Sequence, residues 1–104
     1  MSHAELYAAL SLPAADRAAA AVISVGLHEP DWQWAEQVCL DALKDAREEV
    51  RTAAITSLGH IARVHGKISV PVVIPALESL LTDPALGGVA EDALEDIHLS
   101  TGGK

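Results

Sequence analysis

The sequence predicts an all-α domain of about three antiparallel helix pairs, and three observations predict it. The apolar half of the 104 residues is aliphatic and small-sided: there is no Phe, and the aromatic residues are Tyr7, Trp32 and Trp34. Ala and Leu are strong helix formers, and small side chains let helix axes approach closely. Helix-starting and helix-stopping residues recur at short spacing, without the regular turns and aromatic runs of a sheet protein. Finally, the chain repeats itself. Val50, Ala54, Leu58 and Ile61 return 36 residues on as Leu86, Ala90, Leu94 and Ile97. Val38, Cys39, Ala42, Leu43 and Asp45 return 38 residues on as Ala76, Leu77, Leu80, Leu81 and Asp83. A weaker third copy aligns residues 20–26 with 53–59. A helix pair repeated at this period makes a short α-solenoid.

Each element has a local cause. Ser2 and Glu5 fit a capping box, which starts a helix running to about Leu10. Pro13 fits the first turn of a second helix, where its missing N–H costs nothing; Gly26 ends that helix near Val25. Asp31 caps a third helix reaching about Lys44. Asp45 and Glu48 make another capping box, opening a long helix that stops at Gly66. The β-branched run at 69–73 resembles a strand, but Pro71 and Pro75 argue for the start of a helix that continues to Leu81. Asp83-Pro84 starts the last helix, which ends near Leu99. The connections are short, so sequential helices are antiparallel neighbours. The reading is one domain over residues 1–99 and a flexible tail over 100–104. Its core holds Val22, Val38, Leu43, Val50, Ala54, Leu58, Ile61, Leu77, Leu81, Leu94 and Ile97.

Charge excludes whole classes of partner. The formal charge is −8, from 15 acids against 7 bases. Phosphate backbones and anionic membranes repel such a surface, so neither nucleic acid nor membrane is an expected partner; a basic protein is. No apolar stretch has the length and flanks of a signal peptide or span, which fits a cytoplasmic protein. Cys39 is the single cysteine, so no internal disulfide forms.

The stretch LKDAREEVRTAAITSLGHIA resembles the HEAT-repeat pattern through Leu43, Asp45, Val50-Arg51, Ala53-Ala54, Leu58-Gly59 and Ile61. A second copy matches through Pro75, Leu77, Leu80-Leu81, Asp83-Pro84, Ala90, Leu94 and Ile97, but carries Gly87 where the pattern has Arg. The resemblance is good from about residue 32 to 98 and poor before it. It implies a non-enzymatic protein-binding scaffold. The chain is also similar to a group of small bacterial HEAT-like proteins, some of which neutralise toxins, and that resemblance implies an immunity-type inhibitor. HEAT-like di-iron hydroxylases use several His-Glu dipeptides as ligands; this chain has only His28-Glu29, which cannot hold two irons.

The remaining candidates are weighed on geometry. His60 and His65 are five residues apart and do not align on one helix face; His65, beside Gly66, is expected at the C-terminus of its own helix. Neither metal nor cofactor is expected. Gly87-Gly88 lacks the Lys-Ser/Thr of a phosphate loop, and no nucleophile sits in a recognisable elbow. Cys39 falls on an apolar face as an inert core thiol. Trp34 lies well off that face: it either packs under the preceding connection or stands as an exposed anchor, a residue type enriched at binding hot spots. Glu91 and Glu95, and Asp92 and Asp96, are i, i+4 like-charge pairs on the last helix, and no Lys or Arg occurs between Ile68 and Gly103. They form either a solvated face or a docking surface for a basic partner. The expected function is an acidic inhibitor that covers the basic surface of a nuclease-like toxin, with Trp34, Glu91, Asp92, Glu95 and Asp96 at the contact. The alternative is a regulatory or scaffolding subunit of an enzyme complex.

Overall fold

Six helices carry the fold in the computed structural model, which describes residues 3–11 and 13–101: α1 (His3–Ser11), α2 (Ala15–His28), α3 (Trp32–Ala42), α4 (Glu48–His65), α5 (Val70–Glu78) and α6 (Gly87–Ser100). Among the described residues there is no strand, and no helix is long and apolar enough to cross a membrane. The capping role of Ser2 and the tail at 102–104 lie outside the described residues.

The helices form two layers in a slab of 37 × 32 × 17 Å. α2, α4 and α6 lie side by side, with α4 central, and α1, α3 and α5 each pack on a helix of that layer. α2 and α4 are parallel: Ser57 Oγ donates to the Val22 carbonyl at 3.0 Å, and further along both helices the His65 ring meets the Glu29 carbonyl at 3.1 Å. The core runs between the layers. Of the residues expected there, Leu43 and Leu94 are only partly buried and Leu81 is 42% exposed. Leu81 misses the core because α5 ends at Glu78. Pro75 inside that short helix removes a backbone donor, and the chain tightens into a turn with the Leu80 N–H bonded to the Leu77 carbonyl.

Several boundaries move for identifiable reasons. α2 does not stop at Gly26 but runs to His28, where Glu29, the residue before Pro30, turns to extended backbone at φ −71°, ψ 121°. Gly26 serves a different purpose: a Cβ there would sit 2.7 Å from Ser57 Cβ, so its absence admits α4. Pro13 lies before the helix, whose N-cap is Ala14. Asp31 caps α3 as expected, its carboxylate accepting from the Trp34 N–H at 3.1 Å. Gly66 ends α4 with φ 64°, the left-handed conformation glycine adopts freely. α6 takes in Ser100, and Thr101 bonds back to the Ile97 carbonyl, so residues 100 and 101 are not part of a tail.

The expected capping box at Asp45 and the expected helix start at Asp83 become a different, shared device. Asp45 Oδ1 accepts from the Arg47 N–H at 2.9 Å, and Asp83 Oδ1 accepts from the Ala85 N–H at 2.8 Å. Each aspartate thus holds a turn two residues on, rather than capping the helix itself. Arg51 donates to the Asp45 and Ala46 carbonyls at 2.9 Å each, tying the first of these turns to α4. Its repeat counterpart is Gly87, where a Cβ would collide with the Leu81 carbonyl. The tighter second turn therefore excludes the arginine that the repeat pattern carries.

Candidate partner-binding surface

Trp34 emerges from the first turn of α3 and is covered by α1. The His3 ring stacks on it, with centroids 3.4 Å apart and planes 6° from parallel, and Tyr7 meets it edge-on at 6.1 Å. His3 is held in turn by Glu29 at 3.0 Å. Trp34 is only partly exposed and packs against the core cluster. Of the two sequence readings, burial under a preceding segment is the nearer, although the covering element is α1 rather than the connection before α3. Tyr7 and His3 are the exposed rings of this cluster.

The four carboxylates of α6 stand apart from Trp34, in the other layer. Glu91, Asp92 and Glu95 are exposed. Asp96 is partly buried, lies over Gly59 of α4, and has Arg63 Nε 3.9 Å from its Oδ2. For Asp96 the lack of cations nearby in the sequence is thus relieved across the helix interface. The pair is loose and about half-exposed, so it adds little to stability. His60, one turn before Arg63, carries the Nδ1 that is buried without a hydrogen-bond partner among the described residues. Burial, reinforced by Arg63, holds the His60 imidazole below its ordinary pKa, while Asp96 pulls it the other way.

Of the other cations, Arg47 and Arg51 are tied into the turn at Asp45. Arg47 binds Asp45 through Nε at 2.9 Å and donates from Nη2 to the Leu10 carbonyl at 2.9 Å, joining the end of α1 to the start of α4. That hydrogen bond from Arg47 is the leading reason the Asp45 carboxyl is lowered to about 2. His65 does not serve the end of its own helix; it bonds the carbonyl of Glu29 at the end of α2.

Two features escape sequence reasoning. Glu36 is buried, and its Oε1 accepts from the Ser69 N–H at 2.6 Å, which anchors the start of α5 to α3. Its only sequence signal is a position on the flank of the apolar face, three residues before Cys39. Cys39 is fully buried, and burial, then the Glu36 charge, pushes its thiol up to about 12. The second feature is a groove of about 440 Å³ between α3 and α5, floored by Leu40, Leu43, Ala76 and Leu80, with exposed Val72 at its rim.

The sequence pattern of HEAT repeats matches residues 4–97. The chain belongs to the HEAT-repeat family. It is also similar to a chain in the crystal structure of a CDI complex from Cupriavidus taiwanensis LMG 19424, at 29% identity and a TM-score of 0.87, over 100% of this chain and 92% of that one. No curated protein matches its sequence. The HEAT match takes in the first helix pair as well, where the resemblance of the residues to the repeat pattern is poor.

The same register divides the acids of α6. Asp92 and Asp96 stand where α4 has Thr56 and His60, on the outer surface of the α2–α4–α6 layer. Glu91 and Glu95 stand where α4 has fully buried Ile55 and buried Gly59, on the edge that would receive a further helix of the HEAT stack. The four carboxylates therefore make two pairs with different outlooks.

Proposed function

We propose that this chain is an immunity-type inhibitor that binds a toxin in the bacterial cytoplasm and neutralises it by covering a basic surface. The similarity to a chain of a CDI complex, extending along the whole length of this chain, is the observation that carries the reading. CDI denotes contact-dependent inhibition, and likeness to a chain of such a complex fits a HEAT-like protein of toxin-immunity type. The charge of −8 and the exposed Glu91, Asp92 and Glu95 of α6 support a basic, nuclease-like partner: opposite fields steer the encounter, and fast capture suits a protector. The activity is binding, and it requires no catalytic group, metal or cofactor of this chain.

Glu91, Asp92, Glu95 and Asp96 are proposed as the electrostatic contact. Trp34, under α1, is proposed as a support for the neighbouring Tyr7 surface rather than a bare anchor. The test is binding to a toxin, should one be encoded immediately upstream of this gene, followed by surface plasmon resonance. Replacing all four acids by Gln or Asn should leave the free domain as stable, or slightly more so, because like-charge repulsion on α6 is removed. Association should slow at least several-fold at low salt. Unchanged association would end the electrostatic reading. Failure of the wild-type chain to bind or protect against that toxin would end the immunity reading and favour a scaffolding role. Lys44 and Lys67 serve as neutralisation controls; Arg47 does not, because it ties α1 to α4.

A further inference from the structure

The layer of α1, α3 and α5 opens into the same hollow twice, once on each side of α3. Tyr7 and Leu10 of α1 line the first, of about 140 Å³, with Val38, Asp41 and Ala42 of α3 and Asp45 beyond it. The second is the groove of about 440 Å³ between α3 and α5. Repeat-equivalent residues wall both. The shift of 33 that carries residues 20–26 onto 53–59 also carries Tyr7 and Leu10 onto Leu40 and Leu43. The shift of 38 carries Val38, Asp41 and Ala42 onto Ala76, Ser79 and Leu80. Leu6, Cys39 and Leu77 coincide in this register and are all fully buried, so the three helices present equivalent faces.

The two hollows differ in chemistry. Where the second has Leu40 and Ser79, the first has the ring of Tyr7, 55% exposed, and the carboxylate of Asp41. Asp41 borders the second hollow as well, but Lys44 lines that one and balances its charge. Beside the first, Arg47 is engaged with Asp45 and the Leu10 carbonyl, at 2.9 Å each. Asp41 is exposed, accepts from the Gln37 amide at 3.0 Å, and makes no ion pair among the described residues. We propose that the hollow between α1 and α3 receives one arginine side chain of the partner. The partner's basic character rests on the proposed function; the shape and lining of the hollow do not. A cavity of about 150 Å³ holds a benzene ring, so the space suits one side chain. Leu10, Val38 and Ala42 match the aliphatic stem, the Tyr7 ring matches the guanidinium plane, and Asp41 meets its charge. Tyr7 is set in place by its edge-on contact with Trp34, which His3 stacks upon, so little ordering remains for the encounter. A lysine ammonium is compact, strongly hydrated and without a plane to lay on the ring.

The test is an amide NMR titration of the full chain with N-acetylarginine methylamide, and with the citrulline analogue, which keeps the shape and lacks the charge. The arginine probe should shift the amides of Leu10, Val38 and Ala42 saturably and leave Ala76 and Leu80 in place; the citrulline probe should do neither. Tyr7→Leu, which supplies the residue of the equivalent position, and Asp41→Asn should each weaken binding by about two- to fivefold, the range of one exposed cation–ring contact or ion pair. Should Tyr7→Leu disturb the spectrum beyond α1 and α3, Asp41→Asn decides alone. Equal shifts from both probes, shifts confined to other residues, or an affinity that Asp41→Asn leaves unchanged overturn the proposal. So does a lysine probe that shifts the same amides as tightly. No toxin enters this experiment. A chain that takes the arginine probe but binds no toxin keeps the site and loses the immunity reading, and one that binds a toxin while ignoring the probe does the reverse.

Discussion

His60 shows how one side chain reports on the interface between α4 and α6. Its Nδ1 is buried without a hydrogen-bond partner among the described residues, and the two charges facing it, Arg63 from α4 and Asp96 from α6, oppose each other. Burial and Arg63 dominate, so the folded state holds this imidazole neutral to lower pH than the unfolded chain does, whose value is 6.5. Below that pH the unfolded state binds more protons, and stability falls as the solution is acidified. Urea titrations of wild type and His60→Gln between neutral pH and pH 5 check this. The wild type should lose stability relative to the variant as pH drops through the mid-six range. Parallel curves would show that His60 is as free in the folded protein as in the unfolded chain.

Among elements, the helix contacts of α2, α4 and α6 turn on two glycines that behave differently. Helix propensity alone favours Ala over Gly inside a helix by about 0.5–1 kcal/mol. At Gly26 a Cβ would press on Ser57 Cβ at 2.7 Å and on its Cα at 2.9 Å, and neither atom can swing away. Gly26→Ala should therefore lower the denaturation midpoint despite the better propensity, on the order of 1–3 kcal/mol as overpacking. At Gly59 the nearest atom is the end of the Asp96 side chain at 3.2 Å, which can move. Gly59→Ala should be near neutral or slightly stabilising. Equal effects at both sites would refute the packing account. The sequence did locate both glycines as a repeated feature, but assigned Gly26 to a helix end. A glycine admitting a neighbour and a glycine stopping a helix look alike until the neighbour is in place.

For the whole molecule, charge is arranged against the layers rather than along the chain. Lys44, Arg47, Arg51, Arg63 and Lys67 are grouped in sequence around the central pair, yet three of them make contacts of their own: Arg47 and Arg51 with the turn at Asp45, and Arg63 with Asp96. The net field of −8 is carried mostly by side chains in water, where it is screened within about 8–10 Å at physiological salt. Association with a basic toxin should accordingly slow as salt rises, by about tenfold or more between low and high ionic strength, while dissociation changes less. Stopped-flow rates over a salt series measure this. A flat on-rate would exclude electrostatic steering of the encounter.

The sequence by itself determined the all-α class, the helix-pair repeat and part of the core, because apolar periodicity and turn residues are local signals read within a few residues. It also located the acids that α6 exposes. Only the tertiary structure decided that Trp34 lies under His3 and Tyr7, that Asp96 meets Arg63, and that Glu36 anchors α5, since each joins residues more than 25 positions apart. It likewise separated Glu91 and Glu95 from Asp92 and Asp96. Adjacent residues on a helix differ by only about 100° in direction, and which side meets water depends on where the neighbouring helix stands.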